Sequence, residues 1–179
     1  MVEYKILKKE DIEDVRRWRN SDLINGVSYN RTHITSDMQQ KWYKKIENDI
    51  SQRHWIITYN NENIGYAAIR NIDEKNRKCE FSSLYIGETK YLLSGTGAIA
   101  EYLIIDEIFN SFKVDKIFCE VLELNSKVIQ LHKRFGFEVE GVLKNHYIIE
   151  DKGENVHILS LFRDKWNQHK DKLKKLLQL

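Results

Sequence analysis

The segment from Gly95 to Phe137 constrains the fold more than any other part of this chain. It opens with the turn Gly95-Thr96-Gly97, continues as an apolar helix and a strand, and ends with a second helix that begins after Asn125. A helix start presents free backbone N–H groups, and glycine lets a ligand approach them, so the first helix start could hold a pyrophosphate. A simple tight turn has the same sequence, and no P-loop lysine or Rossmann spacing accompanies it.

Hydrophobic periodicity divides the rest of the chain into strands and helices. The pattern predicts strands over residues 2–7, 55–59, 64–69, 79–86, 117–122, 137–143, 147–150 and 156–162. It predicts helices over residues 10–19, from Ser36 onward, 97–112 and 126–135, with an irregular segment at 20–33. Hairpin turns are expected at 60–63 and 151–154, and Ser36-Asp37-Met38-Gln39 has the form of a capping box. Because hairpins come first and helical crossovers later, we predict a mixed α/β (α+β) fold.

Composition is that of an ordinary globular domain. The chain has 179 residues, of which 41% are hydrophobic and 31% charged. We expect one domain over residues 1–165 and a basic helical tail, or a frayed end, over 166–179. The net charge of +2 is too small to indicate nucleic acid or a membrane surface as a partner. Two cysteines without a disulfide pattern, and no apolar leader or membrane-length run, predict a cytoplasmic protein.

Three polar residues in apolar surroundings are candidates for chemistry, and each has a structural alternative. Asn125 precedes a helix and could simply cap it. His132 lies on the same helical face among apolar residues, where it could be a packed side chain or a proton donor. Glu80 is a lone carboxylate in an apolar strand and could be a general base or a solvated edge residue. The six histidines and two cysteines show no metal-ligand spacing, so no metal is expected.

A polar segment near the N-terminus is the candidate acceptor site. It runs from Trp18-Arg19-Asn20 to Tyr29-Asn30-Arg31. These side chains could line a substrate cleft, or the segment could be a surface loop that contains one core tryptophan. The two interpretations remain open at this point.

Together these features resemble the GCN5-related N-acetyltransferases, the GNAT superfamily. The resemblance rests on Gly95-Thr96-Gly97-Ala98, on the strand 117–122, and on the run from Asn125 to Leu131-His132-Lys133-Arg134-Phe135-Gly136-Phe137, which repeats a family pattern at unchanged spacing. Trp18-Arg19-Asn20 and Glu140-Gly141 are similar to the ribosomal-protein and nucleotide-amino-sugar branches. Cys79-Glu80-Phe81 and Tyr85-Ile86-Gly87-Glu88 are most similar to acetyltransferases of UDP-linked 4-amino sugars on the way to pseudaminic acid.

The resemblance implies a mostly antiparallel sheet that is splayed between its fourth and fifth strands, with acetyl-CoA in the opening. Backbone groups of Leu84, Tyr85 and Ile86 would pair with the pantetheine arm. The loop before the helix would hold the pyrophosphate through Leu92, Leu93, Ser94, Gly95, Thr96, Gly97 and Ala98. Asn125 would bind the pantetheine or cap its helix.

The resemblance also implies direct attack of an amine on the thioester. Glu80 would help to remove the amine proton through water, and His132 would protonate the leaving thiolate. Trp18, Arg19, Asn20, Tyr29 and Arg31 would bind the acceptor, and Arg16 and Arg17 lie close by in sequence. A nucleotide-linked amino sugar is the first acceptor hypothesis; the N-terminal amine of a protein and a polyamine are the alternatives. A non-catalytic acyl-CoA binder is the alternative of a different class, and a homodimer is possible.

Three departures from the family pattern bear on these expectations. Leu92-Leu93-Ser94 stands where the loop commonly carries Gln or Arg, and His132 stands where the family commonly has a tyrosine. Ser82-Ser83 adds one residue between Glu80 and the cofactor loop. Because side chains alternate along a strand, Glu80 would face the wrong side unless the strand carries a β-bulge there.

Overall fold

Seven strands form one sheet, and six helices accompany it in a computed structural model that describes residues 1–179. The strands are β1 (Val2–Ile6), β2 (Arg53–Tyr59), β3 (Glu62–Asp73), β4 (Lys78–Ile86), β5 (Lys116–Leu122), β6 (Glu138–Ile149) and β7 (Lys152–Phe162). The helices are α1 (Ile12–Arg19), α2 (Asp22–Asn25), α3 (Ser36–Ile46), α4 (Thr96–Ser111), α5 (Ser126–Arg134) and α6 (Arg163–Leu176).

The sheet has the order β1-β2-β3-β4-β5-β7-β6, and only β4 and β5 run parallel. Their pairing is short and ends at Glu80, which lies opposite Phe118. Beyond that point the two strands separate, so the backbone of β4 from Phe81 to Ile86 has no partner on the β5 side. The prediction of a mixed, mostly antiparallel sheet splayed between its fourth and fifth strands is confirmed.

A β-bulge in β4 contains the extra residue noted in the sequence. Phe81 pairs with Ile69 and Ser83 pairs with Ala68, which leaves Ser82 without a partner. The Ser82 hydroxyl donates to the Ala68 carbonyl at 3.1 Å. The bulge shifts the alternation of side chains by one position, so Glu80 shares a face of the sheet with Ser83 and Tyr85 instead of pointing away from them.

Helices cover both faces of the sheet, and each face has its own apolar core. On one side α4 packs with Ile104, Ile105 and Ile108 fully buried. On the other side α1 and α3 enclose a smaller core around Trp18 and Tyr66. The helix α4 lies between the sheet and α6, which explains why its sequence is apolar over most of its circumference.

Three local predictions in the first half of the chain need correction. The cap of α3 is Thr35, whose hydroxyl accepts from the Met38 N–H at 3.3 Å, and Ser36 is instead the first helical residue. The supposedly irregular segment 20–33 contains the short helix α2. The first hairpin turn is tighter than predicted, because Asn60 and Asn61 both adopt a left-handed backbone, which asparagine tolerates.

The strands predicted at 137–143 and 147–150 are one long strand, β6. The ladder with β7 is interrupted between Leu143 and Tyr147 but resumes up to Ile149. The turn predicted at 151–154 is wrong. Glu150 and Asp151 form the turn with φ of 50° and 62°, and Gly153 already belongs to β7, where it pairs with Ile148 of β6. The sequence misled here because glycine, the usual marker of a turn, lies just beyond it.

The C-terminal helix α6 is anchored in the main core. Trp166 has 0% exposure, lies 5.2 Å from the Tyr102 ring, and donates through Nε1 to Asp106 at 3.2 Å. The basic side chains of the tail, by contrast, lie mainly on its outer face. The division of the chain at residue 165 stays a prediction. None of the six helices has both the length and the apolar character needed to cross a bilayer.

Trp166→Ala should lower the free energy of unfolding by about 3–5 kcal/mol, because it leaves a large cavity and removes a hydrogen bond to Asp106 in the α4–α6 contact. Asn167→Ala, at the neighbouring exposed position, should change it by less than about 0.5 kcal/mol. Urea unfolding followed by circular dichroism measures both. Equal stability of the two variants would mean that α6 is a dispensable tail.

Candidate functional site

A cavity of about 670 Å³ lies where β4 and β5 separate. Its walls come from α1, the segment 24–34, α3, the four strands β2 to β5, α4 and α5. Glu80 and Tyr66 line it from the face of the sheet that α1 and α3 cover, while Glu101 and His132 line it from the α4 side. The separation of the two strands therefore connects the two faces of the sheet, and polar groups from both faces meet in one space.

Glu80 lies in this cavity, almost fully buried, because of the bulge at Ser82. Its Oε1 accepts from Arg70 at 2.6 Å and its Oε2 accepts from Asn71 at 2.7 Å. Arg70 is the residue directly opposite Glu80 on β3. The carboxylate is thus held by two donors at a fixed place beside the cavity, and its role as a base stays a prediction.

His132 is also buried and is paired with a residue that the sequence analysis missed. Its Nδ1 lies 2.6 Å from Oε1 of Glu101, a carboxylate with 0% exposure in the middle of α4. The imidazole packs between the rings of Phe81 and Phe137, with centroids 5.9 Å and 4.8 Å away. His132 is therefore both a packed residue and a member of a polar pair on the cavity wall.

The surroundings of His132 determine its protonation. Burial by itself lowers the pKa of an imidazole, but the negative charge of Glu101 and the contact with Cys119 outweigh it and raise the pKa of His132 to about 10. Glu101 therefore favours the imidazolium form of His132. His54, on another wall of the cavity, behaves oppositely, because burial lowers its pKa to about 4 and leaves it neutral.

The start of α4 fits the phosphates of a CoA molecule. Gly95 has φ of 78°, and a Cβ added there would meet no atom within 4 Å, so the space above the backbone is open. Thr96 and Gly97 are the first helical residues, and their N–H groups have no acceptor inside the helix. Thr96 is buried and its hydroxyl donates to the Tyr91 carbonyl at 2.7 Å, which fixes the loop.

The rest of the predicted loop lies at the surface. Leu92, Leu93 and Ser94 are exposed, and the Ser94 hydroxyl donates to the Tyr91 carbonyl at 2.7 Å. Their side chains therefore offer the ligand no charge, so binding would depend on backbone donors and on the dipole of α4, which continues through Ala98.

The unpaired edge of β4 supplies the predicted site for an extended arm. Leu84 and Tyr85 line the cavity, while Ile86 is buried in the α4-side core. Across the opening, Asn125 lines the same cavity at the start of α5. Asn125 occupies the N-cap position of α5, as the structural interpretation expects, but its side chain makes no capping hydrogen bond, so its amide is free to meet a ligand.

The residues proposed for the acceptor separate into two groups. Arg19 lines the cavity, with its guanidinium bound to the Ser28 hydroxyl and the Asn30 carbonyl. Trp18 does not line it: it is a core residue whose Nε1 donates to Glu88 at 2.9 Å. Asn20 exchanges two hydrogen bonds of 2.8 Å with the backbone of Ile34 and so shapes the segment rather than the cavity surface.

Tyr29 and Arg31 join the N-terminal segment to the β6–β7 hairpin. Tyr29 lines the cavity and stacks on Tyr147 with ring centroids 4.2 Å apart, and burial raises its pKa. Arg31 lies outside the cavity and binds Glu150 at 3.1 Å. Two segments that are far apart in sequence thereby enclose one side of the cavity.

Two acidic residues of the cavity, Glu101 and Glu120, were not predicted. Both are lone carboxylates within apolar runs, the same signal that singled out Glu80. Glu120 lies on β5, is partly buried, and forms no ion pair or hydrogen bond with another side chain. No group of three His, Cys, Asp or Glu side chains is arranged to hold a metal ion.

Comparison with known proteins identifies what the chain is similar to. A family model described as an acetyltransferase (GNAT) domain matches residues 4–158. A spermidine N(1)-acetyltransferase of Escherichia coli is 24% identical over 92% of this chain and 88% of its own length. The acetyltransferase PseH of Campylobacter jejuni is 27% identical over 87% of this chain and 88% of its own length. A crystal structure of spermidine N-acetyltransferase from Vibrio cholerae with CoA and spermine has a TM-score of 0.84 at 20% identity, covering 93% of this chain and 98% of that one.

Gly95→Ala should weaken CoA binding about tenfold, because it strains a left-handed backbone and places a methyl group where the phosphates are expected. Gly141→Ala is the matched control, since its Cβ also meets no atom but its backbone is unstrained. Isothermal titration with CoA gives both dissociation constants. Equal affinities would place the pyrophosphate somewhere other than the start of α4.

Proposed function

The chain belongs to the GNAT acetyltransferase family and is an acetyl-CoA-dependent N-acetyltransferase, and we propose that its acceptor is a primary amine of an aliphatic polyamine. The unpaired carboxylate of Glu120 carries this proposal. It lies in a cavity whose other acidic groups, Glu80 and Glu101, already have cationic partners. A free carboxylate in such a place favours a cationic ligand over an anionic one.

The remaining walls suit the hydrocarbon part of a polyamine. Apolar side chains such as Ile24, Val27 and Met38 line the side away from α4, together with the aromatic rings of Trp42 and Tyr66. Methylene groups can pack against such a surface, and an ammonium group over an aromatic face gains a cation–π interaction. The cavity therefore combines an apolar channel with one available negative charge.

The arginines expected to bind a nucleotide diphosphate are mostly engaged elsewhere. Arg16 binds Glu13, Arg17 binds Glu88 and Arg31 binds Glu150, all outside the cavity. Arg19 is the one member of that group on the cavity wall. This distribution supports a polyamine more than a nucleotide-linked amino sugar.

A nucleotide-linked amino sugar is the second candidate. Arg19 could meet one anionic group, and the resemblance of the runs around Glu80 and Tyr85 to amino-sugar acetyltransferases favours it. The similarity to PseH covers most of the chain. Against it stand the spermidine N(1)-acetyltransferases among the relatives, because a cationic acceptor agrees with the free negative charge of Glu120 in this cavity.

The arrangement suggests how the chain's own groups would act. When bound, acetyl-CoA supplies an activated acetyl group as a thioester. The dipole of α4 and the N–H groups after Gly95 would hold its phosphates, and the unpaired edge of β4 would orient the arm toward the cavity. Glu80, fixed by Arg70 and Asn71, would accept the proton of the incoming ammonium group through water. His132 faces the same space from the opposite side of the sheet.

A panel of amines should distinguish the acceptors. We expect release of CoA thiol from acetyl-CoA to be fastest with spermidine or spermine, at least tenfold above a UDP-linked 4-amino sugar and a peptide with a free N-terminus. Greater activity with the sugar or the peptide would overturn the acceptor assignment. Binding of CoA without turnover of any amine would indicate a non-catalytic binder.

Glu120→Gln should raise KM for spermidine about tenfold while changing kcat little, because it removes one desolvated charge contact to the ammonium group. Glu3→Gln, the same substitution at an exposed position on β1, is the control. Steady-state kinetics with spermidine varied at saturating acetyl-CoA gives both constants. An unchanged KM in Glu120→Gln would show that this carboxylate does not contact the acceptor.

A further inference from the structure

The buried pair of Glu101 and His132 is poorly explained as a device for stability. Burying two charges costs several kcal/mol, and well-packed apolar residues of similar size are often as good or better. The pair is also incompletely satisfied, because Oε2 of Glu101 is buried and has no hydrogen-bond partner. Stability is therefore a weak explanation for this pair, and a role in the cavity that His132 lines is the alternative.

The geometry of the ring indicates that use. Nδ1 of His132 binds Glu101, whereas Nε2 has no hydrogen bond to a nitrogen or oxygen atom of the protein, and the Cys119 side chain lies beside the ring. His132 nevertheless lines the cavity that opens between β4 and β5. Phe81 and Phe137 pack against the ring and restrict its rotation. The bond to Glu101 therefore fixes the orientation of the ring and, once Nε2 has given up its proton, keeps the remaining proton on Nδ1.

Resting on the acetyl transfer proposed above, we propose that Glu101 is a positioning residue that holds His132 as an imidazolium, so that Nε2 delivers a proton to the sulfur leaving the acetyl group. As the amine nitrogen bonds to the acetyl carbon, the carbon–sulfur bond breaks and its electron pair stays on sulfur. His132 gives that sulfur its proton and is reprotonated by solvent. The ammonium acceptor loses two protons in all, the thiol gains one, and one proton is released.

The charges around His132 support this assignment. The groups that face the ring are Glu101 from α4 and Cys119 from β5, while β4 and the segment after α5 contribute only Phe81 and Phe137. With Glu101 present, the pKa of His132 is raised to about 10, so the imidazole is a proton donor throughout the neutral range. Without that carboxylate, burial would dominate and lower the pKa of His132 below its ordinary value.

The first test uses the free protein and needs no acceptor. Proton and nitrogen-15 NMR of the imidazole should show His132 protonated at pH 8 in the wild type and neutral at pH 8 in Glu101→Gln. Glu107→Gln is the matched control on the same helix, because its carboxylate binds Tyr4 outside the cavity. A neutral His132 in the wild type, or a protonated one in Glu101→Gln, would overturn the proposal.

The second test measures release of CoA thiol. In Glu101→Gln, kcat at pH 8 should fall about 100-fold with KM for acetyl-CoA nearly unchanged, and kcat should decline with rising pH already through neutrality. Glu101→Asp, which keeps the charge, should recover part of the rate. If Glu101→Gln does not fold, Glu101→Asp replaces it in both tests. Loss of thermal stability with an unchanged pH profile would make the pair merely structural.

The polyamine acceptor and the positioning role of Glu101 can be disproved independently of each other. If spermidine is not the acceptor, the amine of the panel that is turned over replaces it. If no amine of the panel is turned over, the slow hydrolysis of acetyl-CoA is measured instead, because the same sulfur leaves in that reaction. A wild-type pH profile for that release in Glu101→Gln would overturn the role of Glu101, whichever acceptor is correct.

Discussion

The early end of the pairing between β4 and β5 is the constraint on which the site depends. The two strands share only three paired positions, up to Glu80 and Phe118. A sheet that continued its ladder would separate its faces completely and leave no backbone donor free. Because the strands part, the edge of β4 is available to an extended ligand, and side chains from both faces reach one cavity. Asn125 and His132 can reach a ligand only because they border this opening.

The bulge at Ser82 and the pair of Glu101 and His132 each hold a polar side chain at this opening, one from each face of the sheet. The bulge turns Glu80 toward the face from which the acceptor would enter, and Arg70 and Asn71 hold it there. The buried pair places a cation on the opposite face. Neither arrangement is favoured by burial alone, since each keeps charge in a poorly solvated place. Both are possible because every charge has an opposite charge within hydrogen-bonding distance.

Much of this structure was predictable from local patterns, and the failures have physical causes. The helix starts after Gly95 and Asn125 follow from periodicity and turn residues, and the need for a bulge follows from the odd spacing after Glu80. The turn at Glu150 and Asp151 was missed because those residues adopt a left-handed backbone without glycine. Glu101 was missed because its partner is distant in sequence. Asn125 is at the N-cap position as expected, but only coordinates show that its side chain makes no capping bond. Contacts between residues that are distant in sequence cannot be predicted from a short stretch of sequence.

The contact between the N-terminal segment and the β6–β7 hairpin has a consequence for the evolution of selectivity. Tyr29 stacks on Tyr147 and Arg31 binds Glu150, and all four residues lie outside the strands and helix that border the opening for the acyl donor. In the proposed function, the acceptor side would be framed by the N-terminal segment and the β6–β7 hairpin, and the donor side by the sheet and α4. Changes in those loops can accumulate while the donor side stays intact. Relatives of one fold can in this way diverge in the amine that they accept and keep a common acetyl donor.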